Sequence, residues 1–128
     1  MRILLDTHAF IWYVTDNSRL SDSGRTIIDN GDNEILLSVV SIWEMAIKQS
    51  IGKLSFGLPL RAFVEHQFSI NKIKLLNINL EQIEVIATLP LHHRDPFDRL
   101  LIAQGIVENL PILSRDVAFD AYPVNRLW

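Results

Sequence analysis

Short apolar runs without polar alternation are the feature of this sequence that most constrains its fold. The first is RILL at residues 2–5, and it ends directly at Asp6. Strands that are buried on both faces have this pattern, and they belong to parallel sheets. Comparable runs occupy residues 35–37, 73–76, 111–114 and, more weakly, 124–127. The sequence therefore predicts a buried, mostly parallel sheet.

Between these runs the apolar residues recur with the period of an α-helix. The predicted helices cover residues 20–28, 41–51, 60–70, 80–88 and 96–108. A further short helix, capped by Asp6 and Thr7, can run through Trp12. Alternating strands and helices predict an α/β fold with helices on both sides of the sheet. No repeat, low-complexity tract or linker interrupts the chain, so residues 1–128 are expected to form a single domain.

Composition excludes several classes of protein. The chain has 128 residues and no cysteine, which rules out a disulfide scaffold, a thiolate zinc site and a thiol nucleophile. It opens without a signal-peptide pattern, and no stretch approaches the ~18 consecutive apolar residues of a membrane span. A net charge of −3 disfavours a protein that coats nucleic acid by bulk electrostatics. We expect a cytoplasmic globular protein that does not bind membranes.

Acidic residues follow or closely flank the predicted strands. Asp6 ends the first strand, Ser114 and Asp116 follow the fourth, and Glu44 lies one turn into the helix after the second. Asp98 is in the first turn of the helix before the fourth strand. Parallel strands place their carboxyl ends at one edge, where open α/β sheets bind ligands. The four carboxylates are therefore predicted to converge.

Each of these acids also has a purely structural explanation. Ser41 and Glu44 match a capping box, in which the acid bonds back to the cap residue. Asp95 before Pro96 is a typical helix start, with Asp98 near the positive end of the helix dipole. Asp6 and Asp116 each precede a short segment whose helical start they can cap. Capping, however, needs only a short polar residue, and Ser, Thr or Asn serve as well.

The joint pattern favours a metal site. Four carboxylates at one edge repel one another unless a cation offsets their charge. Oxygen ligands without cysteine suit Mg²⁺, with Mn²⁺ as a substitute. The histidines do not predict zinc, because His92 and His93 are adjacent and His8 and His66 are isolated. The predicted metal ligands and catalytic residues are Asp6, Glu44, Asp98 and Asp116.

A carboxylate-bound Mg²⁺ supports phosphodiester hydrolysis without a side-chain nucleophile. The chain has no glycine-rich phosphate loop, but Arg94, Arg99 and Arg115 flank the acids. Arginine binds phosphate with two parallel hydrogen bonds. We therefore predict that these arginines bind substrate phosphates and that Ser114 orients a phosphate oxygen or a water.

Four stretches together resemble the PIN-domain ribonucleases of the VapC type, toxins of bacterial type II toxin–antitoxin systems. They are LLDTHAFIW at 4–12, SVVSIWEMAIKQSIGKL at 38–54, HHRDPFDRLLIAQ at 92–104 and ILSRDVAFDAYPVNRLW at 112–128. They spread over the whole chain, and their combination is specific although each alone is weak.

This resemblance implies a three-layer α/β/α sandwich with a central, mostly parallel sheet. It also implies an Mg²⁺- or Mn²⁺-dependent endoribonuclease that cleaves single-stranded RNA or loops of structured RNA. The family's acids match Asp6, Glu44, Asp98 and Asp116, of which the last is the least uniform position, and Asp95 belongs to the motif without a defined role. Family members usually form homodimers and are silenced by an antitoxin protein, so both partners are implied.

Two other interpretations stay open at this stage. An aspartate-nucleophile phosphatase or a phospho-acceptor domain fits poorly, because His8 stands where the phosphatase needs a second Asp and the last lysine is Lys74. A non-catalytic RNA- or protein-binding module, whose acids are helix caps, fits the local motifs. Phe10, Trp12 and Trp43 are expected in the core, with an apolar contact surface as the alternative.

Overall fold

The computed structural model describes residues 1–128 and is built on a five-stranded sheet. The strands are β1 (Arg2–Leu5), β2 (Glu34–Ser38), β3 (Lys74–Leu76), β4 (Ile112–Leu113) and β5 (Arg126–Leu127). Their order in the sheet is β3-β2-β1-β4-β5, and every pair is parallel. Leu4 pairs with Leu36 on one side and Ile112 on the other. The predicted parallel sheet is confirmed.

Six α-helices surround this sheet. They are α1 (Thr7–Val14), α2 (Asp22–Asp29), α3 (Val39–Ser50), α4 (Leu60–Asn71), α5 (Leu80–Thr88) and α6 (Pro96–Val107). A short 3₁₀ helix, Val117–Ala121, follows β4. No helix has the length and apolar character that crossing a membrane requires.

The core consists of two apolar layers, one on each face of the sheet. Ile3 and Leu5 pack with α1 to α4, whereas Leu4 packs with α5 and α6. This alternation follows from the two-residue period of a strand. The central strand β1 is completely buried from Ile3 to Leu5, as its uninterrupted apolar run predicted. The α/β class and the three-layer sandwich are therefore confirmed.

The strand order creates a crevice at the carboxyl edge of the sheet. The chain builds outward from β1 through β2 to β3, and then crosses back to place β4 on the other side of β1. The connection after β1 runs toward β2, whereas the connection after β4 runs toward β5 on the opposite side. A gap therefore remains beyond the carboxyl ends of β1 and β4, and open α/β sheets bind ligands in such a gap. In this chain the gap lies directly after Leu5 and Leu113.

Helix α3 begins earlier than predicted. Its N-cap is Ser38, whose hydroxyl accepts a hydrogen bond from the backbone N–H of Val40 at 3.1 Å. Ser41 lies inside the helix, so the predicted capping box between Ser41 and Glu44 is wrong. The hydroxyl of Ser41 instead accepts a buried hydrogen bond of 2.9 Å from Thr7, which links α3 to α1.

The aromatic residues expected in the core divide between three environments. Phe10 is fully buried, as expected. Trp12 is partly buried against the layer formed by α1 to α4. For Trp43 the core prediction is wrong, because this side chain is 54% exposed and meets the ring of Phe97 edge-on.

Candidate functional site

Two of the predicted acids face the crevice from the ends of neighbouring strands, and both are helix caps. Asp6 follows β1 and accepts a 2.7 Å hydrogen bond on Oδ1 from the N–H of Ala9. Asp116 follows β4 and accepts a 2.9 Å bond on Oδ1 from the N–H of Ala118. In each case capping occupies one carboxylate oxygen, and the second oxygen remains for other partners.

Glu44 reaches the same edge from the second turn of α3. Its side chain is buried, and Oε2 lies 2.8 Å from Nζ of Lys48 one turn later. A buried carboxylate needs a paired charge, and Lys48 supplies it. The sequence interpretation did not include Lys48, although its spacing of four residues from Glu44 is the usual signal for such a pair.

Asp98 enters the site from the first turn of α6. Pro96 starts this helix, and Oδ1 of Asp95 caps it by accepting from the N–H groups of Phe97 and Asp98 at 2.8 and 3.1 Å. Asp95 therefore performs the capping that this motif predicted. The carboxylate of Asp98 instead lies 3.2 Å from Nε2 of His93.

His93 is the site residue that sequence reasoning missed. Its Nε2 lies 2.7 Å from Oδ2 of Asp116, so one ring atom contacts carboxylates from two distant segments. Coordinating atoms of His93, Asp98 and Asp116 all lie within 4.8 Å of one another. The one local feature that pointed to it is its place two residues before Asp95, the cap of α6.

The hydrogen bonds of His93 favour one tautomer. The N–H of Asp95 donates to Nδ1 of His93 at 3.2 Å, so in a neutral ring the proton is on Nε2. This Nε2–H points at the carboxylates of Asp98 and Asp116 and is a donor toward them, which leaves it without the lone pair that a metal ligand needs.

The loop that carries His93 is held by two side chains. Arg99 donates from Nη1 to the carbonyls of Pro90 and His93, at 3.0 and 3.3 Å, and from Nη2 to that of Leu89 at 3.1 Å. The hydroxyl of Tyr122 accepts from the N–H of His93 at 2.8 Å. The guanidinium of Arg99 therefore binds the backbone of this loop, which differs from its predicted role as a phosphate ligand.

The other predicted substrate contacts lie around the acids. Arg94 and Arg115 are exposed, and no ion pair of the chain includes either of them. Ser114 is fully buried, and its hydroxyl accepts from the N–H of Asp116 at 3.0 Å. Burial raises the pKa of Asp6, and a hydrogen bond from the same hydroxyl offsets part of this rise, so Ser114 interacts with both acids.

Crowded negative charge perturbs the acids. Burial, together with the charges of Asp95, Asp6 and Glu44, raises the pKa of Asp98 to about 7, and only His93 opposes this rise. Burial also raises the pKa of Asp6 above its ordinary value, and the charge of Glu44 adds to the effect. The structure therefore brings Asp6, Glu44 and Asp98 close enough to repel one another.

Asp116 lies at the more open side of the crevice. Burial alone would raise its pKa, but hydrogen bonds from Ala118 N–H and His93, and the charges of His93 and Arg126, lower the pKa below its ordinary value. The environment of Asp116 therefore favours its ionised form. Arg126, which also contacts Asp120, was not predicted as part of the site.

The arrangement fits a divalent cation bound by oxygen ligands. Asp6, Glu44 and Asp98 repel one another, Asp98 and Asp116 meet at His93, and a bound cation relieves such repulsion. The only histidine among them is oriented as a donor. This donor set suits Mg²⁺ or Mn²⁺ better than zinc.

Known proteins that resemble the chain include PIN domains and a ribonuclease. Residues 3–125 match the family model described as PIN domain. Ribonuclease VapC22 from Mycobacterium tuberculosis is 23% identical to the chain over 115 residues, which cover 89% of this chain and 86% of that protein.

Solved structures share the fold at low sequence identity. VapBC2 from Rickettsia felis, bound to a DNA fragment from its promoter, matches with a TM-score of 0.72 and 14% identity, over 99% of this chain and 98% of that chain. DNA-bound VapBC from Salmonella typhimurium matches with a TM-score of 0.73 and 13% identity, over 99% and 97% of the two chains. The resemblance predicted from the four motifs is confirmed.

Proposed function

The chain belongs to the PIN domain family, and from this premise we propose that it is an Mg²⁺-dependent endoribonuclease that cleaves single-stranded RNA or loops of structured RNA. The observation that carries the proposal is the crowding of acids at the crevice between β1 and β4. The charges of Asp6 and Glu44 help to raise the pKa of Asp98, and Asp98 and Asp116 both contact Nε2 of His93. A similar protein is named as a ribonuclease.

The four acids are the proposed metal ligands, with Mg²⁺ as the physiological ion and Mn²⁺ as a substitute. A divalent ion at this position supplies a Lewis acid for the phosphoryl group and lowers the pKa of a bound water. His93 holds the carboxylates of Asp98 and Asp116 in place as a hydrogen-bond donor. Lys48 fixes the carboxylate of Glu44 in the same way.

Arg94 and Arg115 are the proposed contacts to RNA phosphates on either side of the cleaved bond. Both guanidinium groups are exposed and free of internal ion pairs, and arginine matches phosphate geometry. Arg99 acts indirectly, because it holds the loop that positions His93. Ser114 is fully buried, so its proposed role is also indirect: its hydroxyl accepts from the N–H of Asp116 and positions that acid.

The biological role we infer is that of a cytoplasmic toxin paired with an antitoxin protein. The solved structures with this fold include two VapBC complexes bound to DNA. The proposed assembly is a homodimer. In each subunit, residues 1–128 form a single PIN domain. Exposed apolar side chains along α3 and at its C-cap, namely Trp43, Ile47 and Ile51, provide surface for a protein partner.

The second candidate is a non-catalytic binding module whose acids only cap helices. Three observed caps favour it, because Asp6, Asp95 and Asp116 each accept backbone hydrogen bonds. Glu44 and Asp98 contradict it, because neither caps a helix and both are placed among other charges. Capping does not explain why carboxylates, and not neutral side chains, occupy these two positions.

The substitution Asp6→Asn separates the two candidates. Asparagine caps a helix about as well as aspartate, but its neutral amide is a poor ligand for Mg²⁺. We expect Asp6→Asn and Glu44→Gln to abolish cleavage of an end-labelled single-stranded RNA and to weaken Mn²⁺ binding measured by calorimetry. Asp22→Asn, at the exposed start of α2, is the control and should cleave normally.

Chelation provides the second arm of the test. Cleavage by the unmodified protein should stop in EDTA and return when Mg²⁺ is added in excess. Full activity of Asp6→Asn, or RNA degradation that ignores EDTA, would remove the metal assignment. Intact RNA in every condition, with RNA binding retained, would favour the non-catalytic module.

A further inference from the structure

The crevice extends beyond the acids into a cavity with an aromatic wall. This cavity has a volume of about 330 Å³, and it is lined by Asp6, His8, Trp12, Arg115, Asp116 and Val117. It therefore shares two walls with the proposed metal site. None of the chain's four cavities is lined by Trp43, whose side chain is exposed.

The aromatic wall is a consequence of how α1 begins. Asp6 caps this helix, and residues four apart lie on the same helix face, so His8 and Trp12 are neighbours just beyond the acid. Their ring centroids are 5.4 Å apart, with the ring planes inclined by 33°. Trp128 meets Trp12 edge-on from behind at 6.0 Å, which holds the indole in place.

The remaining walls are suited to a polyanion that carries a flat, apolar group. Arg115 offers an exposed guanidinium without an internal ion pair, and Val117 is an exposed apolar side chain, 68% accessible. Aromatic faces bind nucleobases by stacking, independently of their sequence. Single-stranded RNA presents such bases, because they are not locked in a duplex.

We propose that the cavity formed by His8, Trp12, Arg115 and Val117 binds one nucleobase of the RNA substrate, with its phosphate at Arg115, next to the phosphate that is cleaved. The inference rests on the proposed nuclease function and adds a base-binding subsite to it. A volume near the lower end of the ~300–1,000 Å³ typical of ligand sites accommodates a single base. Such a subsite predicts a preference for single-stranded RNA, since a paired base cannot enter it.

The test compares two ligands and two tryptophans. Binding is measured by fluorescence anisotropy in the Glu44→Gln background with Mg²⁺, using a short labelled single-stranded RNA and an abasic ribose–phosphate chain of the same length and charge. Trp12→Leu keeps an apolar side chain but removes the stacking face. We expect it to weaken RNA binding by about 5- to 150-fold, the effect of losing one base–aromatic stack, and to leave abasic binding unchanged.

Matched variants control for folding and for nonspecific effects. Trp12→Phe retains an aromatic face and should bind RNA within a few-fold of the parent protein. His8→Ala alters an exposed side chain and should also weaken RNA binding. If Trp12→Leu does not fold, His8→Ala alone tests whether the cavity binds a base. Trp43→Leu should leave both ligands unaffected.

The outcomes separate this inference from the proposed function. If Trp12→Leu and His8→Ala bind RNA like the parent protein, or if only Trp43→Leu loses binding, the proposed subsite is wrong. The proposed nuclease function would still stand if the protein shows Mg²⁺-dependent cleavage that requires Asp6. If Trp12→Leu weakens the abasic chain as much as RNA, the site recognises charge and not a base. If the unmodified protein neither cleaves nor binds RNA, both proposals fail.

Discussion

Replacing Asp98 by asparagine should stabilise the metal-free protein. The carboxylate of Asp98 lies among three other negative charges, and its pKa is raised to about 7 from an ordinary value of 3.8. A displacement of one pH unit corresponds to about 1.4 kcal/mol, so the full displacement sets a ceiling of about 4 kcal/mol. We expect Asp98→Asn to recover roughly half of this at pH 8, about 2 kcal/mol, because a partly buried amide also needs hydrogen bonds.

The sign of the effect depends on pH. A raised pKa means that the folded protein holds the proton more tightly than the unfolded chain, so stability falls as the pH rises from about 4 to about 7 and then levels off. Asp98→Asn removes this decline. The stability difference between the variant and the unmodified protein should therefore be small at pH 4, grow toward pH 7 and stay constant above it.

Urea unfolding in EDTA at several pH values measures this difference. Adding Mn²⁺ at pH 8 should stabilise the unmodified protein by mass action and stabilise Asp98→Asn much less, because a proposed ligand is missing. Asp32→Asn, at an exposed turn, should show neither effect. A variant that is less stable than the unmodified protein at pH 8, by an amount that does not change with pH, would refute the reasoning.

Two further predictions concern residues outside the site. A Cβ atom at Gly105 would lie 2.8 Å from Cδ1 of Ile112. The resulting overpacking, about 1–3 kcal/mol, should outweigh the gain of about 1 kcal/mol from the helix propensity of alanine. Urea unfolding should therefore show no stabilisation by Gly105→Ala unless Ile112→Val also removes the Cδ1 methyl. The hydroxyl of Tyr13 donates to Asp29 at 2.6 Å, and burial together with this bond raises the pKa of Tyr13 to about 12. An absorbance titration should show a phenol that ionises near pH 12, and this step should be missing in Tyr13→Phe. Ionisation of the Tyr13 phenol near pH 10 would contradict the bond.

The sheet could be predicted from the sequence because burial on two faces leaves a local signature. The run from Arg2 to Leu5 contains no alternation, and its last residue is followed at once by the acid that faces the crevice. The start of α3 was mispredicted because Ser38 and Ser41 both suit a helix cap. The choice between them depends on the length of β2 and on the bond from Thr7 to Ser41, which joins residues 34 positions apart.

The site was predictable to the extent that its residues follow strand ends. Asp6 and Asp116 stand at such positions, and the structure places both at the crevice. His93 was missed because no strand or helix positions it. Its orientation results from contacts with Arg99 and with Tyr122, a partner 29 residues away. No periodic pattern in the sequence encodes such contacts.

Capping and metal binding, which the sequence presents as alternatives, are compatible at Asp6 and Asp116. In both residues Oδ1 accepts a backbone N–H, which fixes the side-chain rotamer and thereby directs the second oxygen. Oδ2 of Asp116 lies 2.7 Å from Nε2 of His93, the same atom that contacts Asp98. A carboxylate held in this way loses little conformational freedom when it binds an ion. The short 3₁₀ helix after β4 and the first turn of α1 are therefore part of what organises the proposed metal site, and a substitution that keeps the cap but removes the charge is the one that separates the two roles.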